Sequence, residues 1–270
     1  MKRSLPMAIA AMTLFLLAAS AAHADQEPKY VFFFLGDGMA ASQIQVTEAY
    51  LTALHGGSPN KAADLLKPAN RLNMSKMPVQ GMQTTYDAFA LMTDSASAGT
   101  AFACGIKTLN GVVGMDETKT ISVKSVAQLA HERGKKVGIV TSVSLDHATP
   151  ASYYASAASR GYMNNIATQL ANSGYEFFGG GGLAAPTAAA RSGDTANNIW
   201  NLLTQNGYTV LNDRASILGL MKAPKDRVVA INPWLQDSAA MPYAIDTPAS
   251  NLSLAEMTEV AIANLYGGRG

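Results

Sequence analysis

Residues Thr93–Gly105 read TDSASAGTAFACG: an aspartate, a serine, then a run of small residues. Small side chains leave backbone amides uncovered and let two segments approach closely. A helix starting at Ser95 would hold its hydroxyl among unpaired N–H groups, at the end of the dipole that favours an anion. A serine hydroxyl is a weak nucleophile and needs a base, a metal or a dipole to become one. The stretch therefore has the composition of a nucleophile that meets an anionic substrate. Taken alone, such a stretch is more often the capped start of a helix packed tightly on a sheet.

Two further segments carry residues suited to the same chemistry. Asp37 stands between glycines in FFFLGDGM, and a carboxylate with bare backbone on both sides suits a hard or borderline divalent cation. In isolation, Gly-Asp-Gly is more often a turn. LDHATPASYYASAASRG (145–161) holds His147, Thr149 and Arg160. Thr149-Pro150 reads as an N-cap followed by proline at the first helical position, with Arg160 at the far end of that helix. A planar guanidinium grips two phosphate oxygens at once. Each of the three also has an ordinary reading: a simple cap, a loop histidine and a solvated helix-end charge.

The elements that must position these residues follow from the hydrophobic pattern. Lys29–Gly38 reads as a strand buried on both faces and ending in a loop. Ser42–Leu54 and Ser122–Gly134 read as capped helices, and Lys135–Ser142 as a strand. Helices are expected over Asn164–Gly174, Thr195–Gly207 and Ser253–Leu265, with strands at YEFFGG, YTVLND and RVVAINP. This alternation implies an α/β fold, an open and mostly parallel sheet with helices on both faces. Ligands in such folds bind beyond the carboxyl ends of the strands, where GDG and the loop after GIVTS both fall. The run GGGGLAAPTAAARSG (179–193) reads as a flexible surface loop.

Composition sets further bounds. Twenty Lys and Arg against nineteen Asp and Glu leave a net charge of +1, with no basic block. Nucleic acid and acidic membrane surfaces are poor partners for such a chain. Cys104 is the only cysteine, which excludes an intrachain disulfide and suits a small buried apolar group. Residues 1–24 have a basic start, an apolar core and Ala22-His23-Ala24, the pattern of a secretory signal peptide cleaved after Ala24. Residues 25–270 are then one exported, periplasmic or secreted domain, with no later stretch suited to a membrane.

FFFLGDGM, TDSASAGTAFACGIKTLNGVVGMD, HATPASYYASAASR and FFGGGG occur in this order, and together they resemble the secreted metal-dependent alkaline phosphatases, particularly the bacterial branch with His-Ala-Thr-Pro. The resemblance runs over essentially all of the chain after Lys29. It implies hydrolysis of phosphomonoesters to inorganic phosphate, with zinc and magnesium as cofactors and Ser95 as the nucleophile that forms a phosphoserine. It further implies that Asp37 bridges a zinc and the magnesium, that Thr149 is a magnesium ligand with His147 beside it, and that Arg160 holds two phosphate oxygens while Asp94 orients it. Members are often homodimers. Their pattern continues beyond the final helix with a glutamate, aspartates and histidines for the metals, whereas this sequence ends at NLYGGRG. After signal cleavage only His55, His131 and His147 remain, and the first two stand apart from the motifs. The expectation is an amino-terminal portion of such an enzyme, truncated and impaired. The alternative is a non-catalytic fragment that binds anions or metal weakly. A sulfatase or phosphodiesterase with the same sheet fits poorly, since sulfatases set their nucleophile in a different local sequence.

Overall fold

The computed structural model describes residues 28–266, so the expected signal peptide lies outside the described residues. The chain divides into a short unit up to Gly36 and a compact unit from Asp37 onward. In the short unit, residues 28–36 form no strand, and Val31, Phe32, Phe33 and Phe34 are exposed. The strand expected over Lys29–Gly38 is therefore absent. An apolar β-rich pattern shows that a segment suits a sheet; only a ladder partner for its N–H and C=O groups makes it a strand.

The compact unit is built on four parallel strands: β1 (Gly138–Thr141), β2 (Phe177–Gly180), β3 (Thr209–Leu211) and β4 (Val228–Ile231), in the order β1-β2-β4-β3. The two inner strands, β2 and β4, are buried along their whole length, as their unbroken apolar runs require. Helices α1 (Ala41–Leu54), α2 (Ala62–Leu65) and α3 (Ser95–Cys104) precede the sheet together with α4 (Val126–Glu132). Helix α5 (Ala148–Ala151) follows β1, and α6 (Met163–Asn172) leads into β2. The others are α7 (Ile199–Gln205), α8 (Arg214–Gly219) and α9 (Leu254–Tyr266).

Strand alternation sends side chains into two cores. Phe178, Val229 and Ile231 face Ile166 and Leu170 of α6 and Ile199 and Leu203 of α7. Phe177, Val228 and Ala230 face Ile217 of α8, Leu220 just past its end, and Met257 and Val260 of α9. Helices thus cover both faces of an open parallel sheet. Each fully buried large side chain contributes roughly 1.5–3 kcal/mol.

Local chemistry moves several boundaries. Helix α1 starts one residue before Ser42, and Gln43 Oε1 accepts the Ala40 N–H. Helix α4 is capped by Ser125 rather than Ser122, and α7 by Asn198 rather than Thr195. The glycine run expected on the surface is buried over 179–183, and exposure is confined to Ala184 and 187–193. A Cβ at Gly180 or Gly181 would collide with the Thr141 or Val143 carbonyl, so these glycines let the end of β2 lie against the end of β1.

Candidate active site

Asp94 is the N-cap of α3. Its Oδ1 accepts the Ser97 N–H at 2.9 Å and the Ser97 hydroxyl at 2.9 Å. Ser95 is therefore the first helical residue, half-buried, and the N–H groups of Ser95 and Ala96 have no helical acceptor. The small residues that follow have a geometric role. A Cβ on Gly99 would stand 2.6 Å from Ser152 Oγ and 3.7 Å from the Thr149 Cα, so only a bare backbone lets α3 lie this close to α5. Gly105, at φ +72°, ends the helix in the left-handed conformation.

That close approach brings two hydroxyls to one carboxylate. Ser95 Oγ donates to Asp37 Oδ1 at 3.2 Å, and Thr149 Oγ1 donates to Asp37 Oδ2 at 2.7 Å. Thr149 is not the cap of α5, which begins at Ala148 after His147, and Pro150 is the third residue rather than the first. With its hydroxyl committed to Asp37, Thr149 has no role in capping. Nor does Arg160 lie at the far end of that helix: α5 stops at Ala151, and Arg160 follows in a turn, its N–H donated to the Gly111 carbonyl at 2.6 Å.

The guanidinium of Arg160 is held on two sides. Nη1 donates to Asp94 Oδ2 at 3.0 Å, and Nη2 donates to His147 Nε2 at 2.9 Å. Arginine is always charged, so His147 Nε2 accepts and its proton sits on Nδ1, which is buried with no hydrogen-bond partner among the described residues. Burial first, then the adjacent Arg160 charge, hold the His147 pKa below its ordinary value, which favours this neutral form. Burial alone would raise the Asp94 pKa. The N–H groups of Ser97 and Gly111, the Ser97 hydroxyl and Arg160 outweigh it, and the carboxyl is lowered overall.

Several supporting residues escaped the sequence reading. Gly111 N–H donates to Asp94 Oδ2 at 3.1 Å, and the Asn110 side chain donates to the Met92 carbonyl at 3.0 Å. Asn-Gly signals a turn, but nothing in the dipeptide says that it faces Asp94. Asp146 is fully buried and accepts the N–H groups of Ala184 and Ala185 at 2.9 and 3.2 Å, tying the glycine-rich segment to the His147 loop. Burial raises its pKa, and those hydrogen bonds offset only part of the rise.

The donor set decides which metal suits the site. Asp37, Ser95 and Thr149 offer oxygens alone, one carboxylate and two hydroxyls, which suits a hard cation such as magnesium that keeps several waters. A zinc pair draws on several histidines and carboxylates, and no group of three His, Cys, Asp or Glu converges among the described residues. The residues described here do not fit zinc. Cys104 contributes nothing: burial pushes its thiol up to about 11, and Sγ donates to the Val123 carbonyl.

The site thus sets a helix-capped serine beside an arginine fork and an acidic residue in an open parallel α/β fold. The chain belongs to the alkaline phosphatase family, whose model matches residues 28–268. It is 30% identical over 250 residues to alkaline phosphatase 3 of Bacillus subtilis, covering 89% of this chain and 48% of that protein. It is similar in structure to the alkaline phosphatase of the Antarctic bacterium TAB5, with a TM-score of 0.67, 30% identity, and coverage of 88% of this chain and 61% of that one. For the Thermus thermophilus alkaline phosphatase the TM-score is 0.69 at 26% identity, with 87% and 46% covered. The chain thus spans about half the length of the Bacillus relative and less than two thirds of either solved structure.

Proposed function

We propose that this chain carries the phosphoryl-transfer machinery of a phosphomonoesterase, with Ser95 as nucleophile. What supports the reading is one observation. The Asp37 carboxylate is shared by Ser95 and Thr149, 58 and 112 residues away in sequence, beside an arginine fixed by the same aspartate that caps the serine's helix. Ser95 Oγ would attack phosphorus in line as the bond to the leaving oxygen breaks, its proton passing toward Asp37 Oδ1 and the leaving oxygen taking one from water. Charge on the three equatorial oxygens would be met by Arg160 and by the free N–H groups at the start of α3. Water would then split the phosphoserine, releasing inorganic phosphate and restoring the hydroxyl.

Magnesium, held by Asp37 and Thr149, would supply positive charge that lowers the pKa of oxygens beside it. A TAB5 alkaline phosphatase variant was solved with magnesium bound, which supports magnesium as a cofactor. The zinc ions expected from the family resemblance have no donor set among the described residues, and no step is assigned to them. The amino-terminal pattern supports export to the periplasm or medium. No helix among the described residues is long and apolar enough to cross a membrane.

The test is direct. The protein is supplied with magnesium and p-nitrophenyl phosphate, acid-quenched and digested. Phosphorylation of the Ser95 peptide is expected, with none in Ser95→Ala. Calorimetry should show phosphate affinity falling roughly 10- to 100-fold in Arg160→Ala, the scale of a charged hydrogen bond. Phosphate binding lost in Arg160→Ala, without turnover or label, would favour the non-catalytic anion binder. Neither label nor Arg160-dependent binding would overturn both readings.

A further inference from the structure

The connections of the sheet create a second candidate site. β2 leaves toward α7 on one face, whereas β4 leaves toward α9 on the other, and these two strands are neighbours. Outgoing connections that part to opposite faces open a crevice at the carboxyl ends of the strands. A cavity of about 500 Å³ lies there, within the range of small-molecule sites. It shares no lining residue with Ser95, Asp37, Thr149 or Arg160.

The lining defines a chemistry. Trp200, partly buried against the core, stands with Leu183, Val210, Ile231 and Leu235 as apolar walls. Asn212 adds a polar edge, and its amide makes no hydrogen bond within the described chain. Thr204 donates to the Trp200 carbonyl at 3.0 Å, which leaves its oxygen free to accept. None of the lining residues is charged. The rim is strained: Ser238 and Ala239 sit at φ +57° and +55°, and this turn sets the Ala239 carbonyl on the Gly182 N–H at 2.8 Å.

We infer that this crevice binds a neutral planar ring bearing an amide-like hydrogen-bonding edge, the ring against Trp200 and the edge paired with Asn212. An amide satisfies the donor and acceptor of an asparagine together, and an aromatic face suits a tryptophan wall. A charged ligand would find no counter-ion there. The inference does not rest on the phosphatase reading.

Benzamide is the probe. The chain has two tryptophans, so Trp234→Phe leaves Trp200 as the only one. Benzamide should change its emission saturably with a Kd of about 1 mM, the scale for so few atoms. Asn212→Ala should weaken binding about fivefold, one neutral hydrogen bond. Benzoate should bind more weakly than benzamide, and Ser95→Ala should change nothing. Methyl NMR shifts of Ile231 and Leu235 in the unmutated chain give the same reading without the tryptophan variant. No saturable response by either measurement up to about ten times that Kd, or an unchanged Kd in Asn212→Ala, would overturn the assignment.

Discussion

Asp94 does two jobs through opposite oxygens. Oδ1 caps α3, and Oδ2 holds Arg160 and the Gly111 N–H. The two jobs separate by substitution. Asp94→Ala should cost about 1 kcal/mol in unfolding free energy for the lost cap. It should also weaken phosphate binding by about tenfold, because a guanidinium tethered on one side only must be ordered on binding. Asp94→Asn keeps a capping oxygen and should recover most of the stability but only part of the affinity. Equal losses of both quantities in the two variants, measured by urea unfolding and calorimetry, would contradict this division. Asp94 and Ser95 were legible as a pair because a cap and the residue after it are neighbours in sequence. Asp37, Thr149 and Arg160 were legible from their own residues as chemical types, and only the family resemblance joined them. The contact that unites them depends on Gly99 admitting α5, and His147 facing Arg160 depends on a turn that no periodicity encodes.

At the scale of elements, the strands and helices of the sheet could be read because each carries its own pattern: unbroken apolar runs in β2 and β4, alternating faces in α6 and α9. What could not be read is what the partners decide. The aromatic segment before Asp37 has strand composition without a ladder, and the glycine run looks mobile until its contact with β1 is seen. Helix α9 shows the local side well. Ser253 Oγ accepts the Glu256 N–H at 3.2 Å, and Glu256 Oε2 accepts the Ser253 N–H at 2.8 Å, a reciprocal cap that ties in α8 through Arg214. Hydrogen bonding to Arg214, then to the Ser253 N–H, lowers the Glu256 pKa from 4.5 to about 2. A depressed carboxylate contributes stability that is whole above the unfolded value and is lost as pH falls toward the folded one. The stability gap between the unmutated chain and Glu256→Gln should therefore be constant above pH 4.5 and close between there and about pH 2. Because both partners are about a third exposed, added salt should narrow the gap as well. A gap that persists at the acid end would leave Arg214 without the assigned role.

Across the whole molecule, the distribution of apolar surface is uneven. The two cores are built of buried apolar side chains, yet Met82, Phe89, Leu91 and Met92 are each at least 80% exposed. All four lie within residues 82–92, and soluble monomers seldom leave large apolar patches in water without a partner surface. β1 adds to the liability: it is the outer strand of a parallel sheet, and its residues are only partly buried where β2 and β4 are fully so. An uncovered apolar edge pairs with other chains unless charge, proline or a covering element blocks it. The loop carrying Phe89 and Leu91 is also stiff, because Asp87 accepts the N–H groups of Phe89, Ala90 and Asn110, so these side chains cannot fold away. Self-association is the expected result. Sedimentation equilibrium should show a weight-average mass that rises with concentration, with dye binding that reports open apolar surface. Phe89→Lys with Leu91→Lys should shift the association to roughly tenfold higher concentration, the effect of removing about 1.4 kcal/mol from the contact, while leaving the urea midpoint unchanged because neither side chain is buried. A chain that stays monomeric and dye-silent over the full range would show that this surface is tolerated by solvent, and that the exposed loop has no part in assembly.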